Sequence, residues 1–554
     1  MLGITNRNGQ EPQMPRMTTG EIIARSLTVN GVDTVFGIPG AHMYDFNDAL
    51  ARESGIRFIH TRHEQGAGYM AYGYAKSTGR VGAYTVVPGP GLLNSGAALC
   101  TAYGGNAPVI CVTGDIMSHL IGQGRGQLHE LPDHLATLRG LTKWADRIDH
   151  PTEAAAKMDE AFRQMLSGRQ RPVGIEAPWD VFGMSAEVAP PEPARPLPAP
   201  EPDPDQVAAA VDMIRAARNP LIMVGSGAIG AEGQLAALAR QLQAPVSAHR
   251  SGKGVLPDDD PLALLPPAAW RYWQDCDLLI GIGSRLELQY FRWRWMPPGL
   301  KVLRLDIDPT EMVRLKPDLG LVTDATLGLT ALLQHLANDP PRPSRETQLA
   351  ALRAAADADL RGVQPAESYL RVIRDLLPRD GFFVEEVSQV GFTARMCFPV
   401  YGPRQYVTCA YQDNLGFGFN TALGVKIGNP DKKVISVSGD GGFMFGVQEL
   451  ATAKQFNIAV IAIVFNNSAY GNVRRDQQMQ YDSRLLGADL ENPDFVALAR
   501  AFGLRASRAE GPQQLRAVLA EALQADEPVV IEVPVPRGAD SSPWPFIHPA
   551  PMAG

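Results

Sequence analysis

Short β-branched runs alternate with longer stretches of helical spacing along this chain, from about residue 17 to the end. TTGEIIARSLTVNGV places its apolar residues on one helical face, with Thr18 or Thr19 as the cap and Glu21 in the first turn. Strand TVFGIPG follows and ends in Gly37-Ile38-Pro39-Gly40. Next come a helix, the strand IRFIH, the polar run Thr61-Arg62-His63-Glu64, and the helix GAGYMAYGYAKSTG, which Gly79 stops. Strand VGAYTVV leads into Pro88-Gly89-Pro90-Gly91, and APVICVTGD follows after another helix. Such repeated alternation predicts a parallel sheet covered by helices on both faces.

The pattern recurs over 205–340, with strands PLIMVG, APVSAH, LLIGIG and KVLRLDID, and again over 364–554. Residues 186–204, AEVAPPEPARPLPAPEPDP, are too proline-rich for a helix or central strand and predict an extended linker. Residues 341–363 read as a second linker, and residues 1–16 as a flexible tail. The expected fold is therefore α/β, with three doubly wound parallel-sheet domains over 17–185, 205–340 and 364–554.

Length agrees, because 554 residues exceed what one hydrophobic core supports. Hydrophobic content of 45% with 20% charge is that of a soluble globular protein. A net charge of -8 gives no electrostatic case for nucleic acid or an anionic membrane. No apolar run approaches the roughly 20 residues of a membrane-spanning helix. MLGITNRNGQEPQMPR lacks the apolar centre of a secretory signal, so a cytoplasmic protein is expected. Five cysteines without CxxC spacing read as reduced thiols packed in cores.

Candidate chemistry concentrates in VISVSGDGGFMFGVQELATAKQFNIAVIAIVFNN. Val434 to Val437 form a strand, and Gly439, Gly441 and Gly442 free the backbone to turn sharply and approach a ligand. A helical pattern follows through Phe445, Leu450 and Ala453, then a buried strand from Ile458 to Phe465. Asp440 and Asn467 thus sit at the carboxyl ends of two strands of one βαβ unit, where open α/β sheets bind ligands. A carboxylate, an amide oxygen and a nearby carbonyl form an all-oxygen set suited to Mg²⁺. Taken singly, GDG is also a plain turn and Asn-Asn a helix cap; it is their combination that points to a site. Gly225-Ser226-Gly227-Ala228-Ile229-Gly230 also matches GxGxxG after a strand. The next strand ends Ser247-Ala248-His249-Arg250 without the carboxylate a dinucleotide ribose needs, so a turn packing helix on strand is expected there.

The spacing of GDG and Asn-Asn resembles the signature of thiamine-diphosphate (ThDP) enzymes. With RHEQGAGYMAYGYAK, PGPGLLN, LTKWADRI, KGVLPDDDPL and LRLDIDPTE, nearly the whole chain is similar to the acetolactate-synthase and pyruvate-decarboxylase-like family. That resemblance implies a pyrimidine-binding, a middle and a diphosphate-binding domain in this order. It implies metal ligands Asp440, Asn467 and the carbonyl of Ala469. It implies cofactor contacts from Pro39, Glu64, Asn94, Val387, Ser388, Gln389, Val390, Leu415, Gly439, Asp440, Gly441, Gly442, Asn467, Ala469, Tyr470 and Gly471. Leu415, in DNLGFG, matches the apolar residue that bends the cofactor. Glu64, otherwise an ordinary helix-capping Glu, matches the carboxyl that bonds the pyrimidine so that the thiazolium C2 loses its proton.

Two stretches depart from the synthases. Their Phe-Gln in FQEAD falls on His129 and Glu130 in HELPD, which also resembles YEEMD of the oxalyl-CoA decarboxylase branch. Glu130 is a candidate proton relay, with a salt bridge to Arg125 as the purely structural alternative. After the Asn pair, plant and fungal synthases read VRQWQ where this chain has Val473-Arg474-Arg475-Asp476-Gln477. The resemblance therefore implies a ThDP- and Mg²⁺-dependent lyase or carboligase acting on 2-oxo acids, nearest to acetolactate synthase, with His129, Glu130 and Glu64 catalytic. The alternatives are a 2-oxo acid decarboxylase or benzaldehyde-lyase-like enzyme, a 2-hydroxyacyl-CoA lyase or oxalyl-CoA decarboxylase relative, and a non-catalytic paralogue. It further implies FAD or ADP in the middle domain of some members, small 2-oxo acid or aldehyde substrates, and a homodimer or homotetramer with shared active sites.

Overall fold

The structure is a computed structural model that describes residues 14–550. It divides into two compact units, residues 1–197 and 198–554. The expected tail over 1–16 lies outside the described residues as far as 13. Its last residue opens a short strand, Arg16–Thr18, antiparallel to Ser185–Glu187. This pairing, continued by Val188 N–H donating to the Pro15 carbonyl at 3.1 Å, draws the start of the proline-rich segment into the first unit.

The first unit holds a six-stranded parallel sheet in the order Arg57–His60, Thr34–Gly37, Gly82–Val86, Val109–Asp115, Val173–Pro178, Trp144–Arg147. The helix Thr19–Val29 starts at a capping box, with Thr18 accepting from Glu21 N–H and Glu21 accepting from Thr18 N–H. Its Ile22, Ile23 and Leu27 pack with Met158 and Phe162 of the helix Pro151–Leu166 against Ile110, Val112 and Ile175 of the sheet. The helix Glu64–Thr78 is buried all round from Gly66 to Ser77 and ends at Gly79, whose φ of 75° is left-handed. Small residues allow this burial: a Cβ on Gly68 would stand 2.6 Å from Ala98 of the helix Pro90–Gly104.

The second unit holds two parallel sheets. One has five strands in the order Val246–Ala248, Pro220–Val224, Leu278–Ile282, Lys301–Asp306, Leu319–Val322. The other has six, in the order Tyr406–Val407, Phe382–Glu385, Val434–Gly439, Val460–Asn466, Val529–Pro534, Arg505–Arg508. Arg250 and Arg395 join the layers by converging on Asp413: Arg250 Nη1 donates to Oδ1 and Nη2 to Oδ2, each at 2.8 Å, and Arg395 Nη2 donates to Oδ1 at 2.7 Å.

Three sequence expectations need correction. The linker over 341–363 contains the helix Glu346–Leu360. Leu349 and Ala356 join the core of the five-stranded layer, with Leu352 packed against it, so burial of an apolar stripe orders the segment. The helix expected through Phe445 is broken into Asp440–Phe443, the 3-10 turn Val447–Glu449 and Leu450–Gln455, and Phe445 is exposed. Four glycines between 439 and 446 make a continuous helix costly. In the GxGxxG turn, Gly225 and Gly227 pack turn against turn rather than helix on strand. A Cβ on either would lie under 3.0 Å from Gly283 or Ser284, and Gly227 N–H donates to the Gly283 carbonyl at 3.1 Å.

The five cysteines are free. Among the described residues no helix is long and apolar enough to cross a membrane. The first sheet carries a buried charge network. Glu176 accepts from Arg147 Nε at 2.6 Å and lies 2.5 Å from His134 Nδ1, and Arg147 also donates to Asp115 at 2.8 Å. Glu176→Ala leaves a guanidinium and an imidazole without their shared acceptor. Urea unfolding is expected to show a loss of about 3–5 kcal/mol.

Candidate functional site

In the six-stranded sheet of the second unit, the chain leaves Phe382–Glu385 to one side and then returns to the other. The switch point lies between that strand and Val434–Gly439. A cavity of about 260 Å³ opens at the carboxyl ends of the strands there. Its lining includes Val387, Ser388, Gln389, Val390, Leu415, Gly439, Asp440, Gly441, Gly442, Asn467, Ala469, Tyr470 and Gly471. Every residue of this unit that the sequence singled out for cofactor or metal is therefore gathered at one place.

Gly439 precedes the short helix Asp440–Phe443, so Asp440 is its first residue. The Asp440 side chain is buried, and burial raises its carboxyl. The backbone N–H groups of Gly441, Ala469 and Ser468 and the amide of Asn492 oppose that shift. Asn492 Nδ2 donates to Asp440 Oδ2 at 2.6 Å and to Asn466 Oδ1 at 3.0 Å. It arrives because the chain comes back alongside 468–470, where Tyr470 N–H donates to Ala488 and Leu490 N–H to Ser468, both at 2.8 Å. Asn466 Nδ2 donates to Glu532 at 2.8 Å, while Asn467 Oδ1 accepts from Ala469 N–H at 3.2 Å and its Nδ2 donates to Asp540 at 3.1 Å. Burial raises the Asp540 carboxyl too.

Main chain rather than side chain forms the wall at the Gly-rich turn. A Cβ on Gly441 would enter the Tyr470 ring, and one on Gly442 would meet Glu386 Oε1 at 2.5 Å. Ser388 caps the helix Gln389–Cys397 by accepting from Gly391 N–H at 3.1 Å, which sets a helix N-terminus at the cavity. Leu415 is held from both sides. Asp413, in a left-handed conformation at φ 45°, is clamped by the two arginines, and Glu386 accepts from the backbone of 416–418. Complete burial pushes the Glu386 carboxyl up from 4.5 to about 7.

In the first unit, Glu64 opens its helix and is half-buried. Asn94 Nδ2 donates to Glu64 Oε2 at 3.0 Å. Pro39 lies in the loop after Thr34–Gly37 and is exposed. His129 has φ 67° and stacks on His42 with ring centroids 4.9 Å apart, and a Cβ on Gly89 would stand 2.5 Å from its carbonyl. Glu130 Oε2 accepts from Gln127 N–H at 2.8 Å, so it bonds the backbone of its own turn rather than Arg125.

Sequence reasoning missed Glu386, Asn492 and Asp540. Glu386 follows a strand end directly, which was a usable signal. Asn492 and Asp540 reach the site through tertiary contacts and carry none. In the helix Gly471–Gln480, Val473 lines the cavity, while Arg475 stacks over Trp544 at 4.9 Å and pairs with Asp476.

Comparison with known proteins matches all three layers to one family. "Thiamine pyrophosphate enzyme, N-terminal TPP binding domain" covers residues 17–137, its central domain 207–332 and its C-terminal TPP binding domain 386–533. A probable 2-ketoarginine decarboxylase of Pseudomonas aeruginosa is 34% identical over 89% of this chain and 90% of its own length. A probable acetolactate synthase large subunit of Methanocaldococcus jannaschii is 32% identical over 93% and 92%. The acetolactate synthase isozyme 1 large subunit of Escherichia coli is 30% identical over 98% of each chain.

Glu386 gives the fold a pH dependence. Its raised carboxyl keeps a proton in the folded chain that the unfolded chain releases between pH 4.5 and about 7. Its contribution is full below pH 4.5 and is lost as pH rises toward 7, by at most about 1.4 kcal/mol per pH unit. Urea midpoints measured across this window should fall more steeply in the wild type than in Glu386→Gln.

Proposed function

The chain belongs to the thiamine pyrophosphate enzymes, and from that premise we propose that it is a Mg²⁺-dependent lyase or carboligase. It breaks or makes a carbon–carbon bond beside the carbonyl of a 2-oxo acid, nearest to acetolactate synthesis. The cavity at the switch point carries this reading. Its lining joins an oxygen-rich patch (Asp440, Asn467, Ala469) and a main-chain wall (Gly439, Gly441, Gly442) to the apolar Val387, Val390 and Leu415. These residues fit a metal-held diphosphate with an attached ring. Asp440, Asn467 Oδ1 and the Ala469 carbonyl would hold Mg²⁺, which takes few protein ligands. The helix N-terminus at Ser388 and Gln389 favours the anionic group. Leu415, fixed by its two clamps, supplies the apolar stop, and Tyr470 and Gly471 complete the wall.

Bound thiamine diphosphate supplies a carbon nucleophile and an electron sink. Glu64 supplies the proton-handling carboxyl. Asn94 Nδ2 donates to its Oε2 and so orients the carboxyl. Since Glu64 acts on a cofactor held by Asp440 of another subunit in this reading, the active unit is a cytoplasmic homodimer or homotetramer.

A simple decarboxylase is the second reading. His129 and Glu130 replace the synthases' Phe-Gln, and the relative at 34% identity is named for decarboxylation of a 2-oxo acid. Incubation with ThDP, Mg²⁺ and a panel of substrates separates the two by product mass. The panel holds pyruvate, 5-guanidino-2-oxopentanoate, aldehydes, acyloins and 2-hydroxyacyl-CoA. Acetolactate supports the first reading, aldehyde with CO₂ alone the second, and cleavage of acyloins or acyl-CoA a lyase. Glu64→Gln is expected to lower kcat by roughly 10²–10⁴-fold while ThDP still binds. Unchanged turnover would remove Glu64 from the mechanism, and full activity in a monomer by light scattering would remove the shared site.

A further inference from the structure

Asp540 stands outside the motifs that the functional reading uses, in a segment with no regular structure. After the strand Val529–Pro534, Val535 N–H donates to the Asn466 carbonyl at 2.8 Å, which carries the chain past the Asn pair. A turn at Gly538, φ 79°, closes with Ala539 N–H donating to Pro536 at 3.0 Å. Beyond it Ser541 N–H donates to the Gln364 carbonyl at 2.7 Å, and Ser542 bonds Arg475. Trp544 then packs on Phe392 with ring centroids 5.3 Å apart. Asp540 is therefore pinned on both sides, and its carboxylate lines the cavity against Asn467.

Asp540 Oδ2 accepts from the Asn467 amide N–H₂ at 3.1 Å, which sets the nitrogen end of that amide toward Asp540. Oδ1 is thereby turned to the other side, where Ala469 N–H occupies one of its two lone pairs at 3.2 Å and the other remains for a cation. We propose that Asp540 is the positioning residue of the divalent-cation site, locking the Asn467 amide so that its oxygen faces the metal. This rests on the functional reading above, in which Asn467 is a metal ligand.

Groups that orient a metal ligand typically contribute 10–100-fold to affinity. Mn²⁺ binding followed by electron paramagnetic resonance, with ThDP present, reads this directly. Asp540→Asn keeps the shape but offers a donor as well as an acceptor, so the amide is no longer locked. Mn²⁺ affinity should fall roughly 10–100-fold, with ThDP binding restored at high cation concentration. Asp540→Glu, which remains acceptor-only, should lose less. If the carboxylate merely staples the C-terminal segment, Asp540→Asn would lower the melting temperature without moving the Mn²⁺ titration. A titration of Asp540→Asn that superimposes on the wild type overturns the assignment of Asp540 alone. Should that variant not fold, Asp540→Ala gives the same comparison. Wild-type protein that takes up no Mn²⁺ with ThDP overturns the functional reading and this inference with it.

Discussion

Glu386 is the buried carboxylate on which the cavity's geometry depends. It follows the strand Phe382–Glu385, receives the backbone N–H groups of 416–418, and lies where a side chain on Gly442 would stand. One group thus ties a strand end, the loop that carries Leu415 and the Gly-rich turn. Its neighbour Glu385 points the other way, to Arg395, Tyr406 and Thr408. Successive side chains of a strand face opposite sides, so adjacent glutamates can serve both layers. One meets cationic and hydroxyl partners, the other mainly backbone donors, and burial of that second carboxyl without a cation raises it.

The same economy governs the metal end. Asp440 and Asp540 are both answered by amides, Asn492 and Asn467, and not by arginine or lysine. A fixed ammonium or guanidinium would neutralise the carboxylate and compete with a metal ion for its oxygens. A neutral amide pairs with the carboxylate without neutralising it, so the negative charge stays available to the metal site. In the clamp behind Leu415, the opposite choice is made: Asp413 is fully committed to Arg250 and Arg395, which hold its carboxyl far below the usual range. Asp413, which fixes the loop behind Leu415, is paired with cations, and Asp440 and Asp540, which line the cavity, are not.

Much of this was legible in the sequence because it is local. Strand ends, glycine turns and helix caps follow from spacing over a few residues, which is why the sheets and the Gly439-to-Gly442 wall could be anticipated. Asn492 was not legible, since its partner Asp440 lies 52 residues away and nothing in ADLENPDF marks it. Asp540 stands 73 residues beyond Asn467, inside a proline-rich stretch whose composition suggests irregularity and says nothing of position. The helix Glu346–Leu360 was missed for a different reason. It follows the proline cluster at 340–343, which reads as the end of a domain, yet Leu349, Leu352, Ala356 and Leu360 recur at the three- and four-residue spacing of a buried stripe.

The two glycine turns of the second unit show what separates a binding turn from a packing turn. Both follow a strand at a switch point, and both exclude a Cβ. At Gly225 and Gly227 the excluded space is filled by the main chain of Gly283, so the turns close on each other. At Gly441 and Gly442 the nearest atoms belong to the Tyr470 ring and the Glu386 carboxyl, which lie to one side and leave the turn bordering the cavity. Glycine is required in each case by a close approach. The identity of the approaching atoms, backbone in one and functional side chains in the other, is the difference that a motif of glycines cannot express.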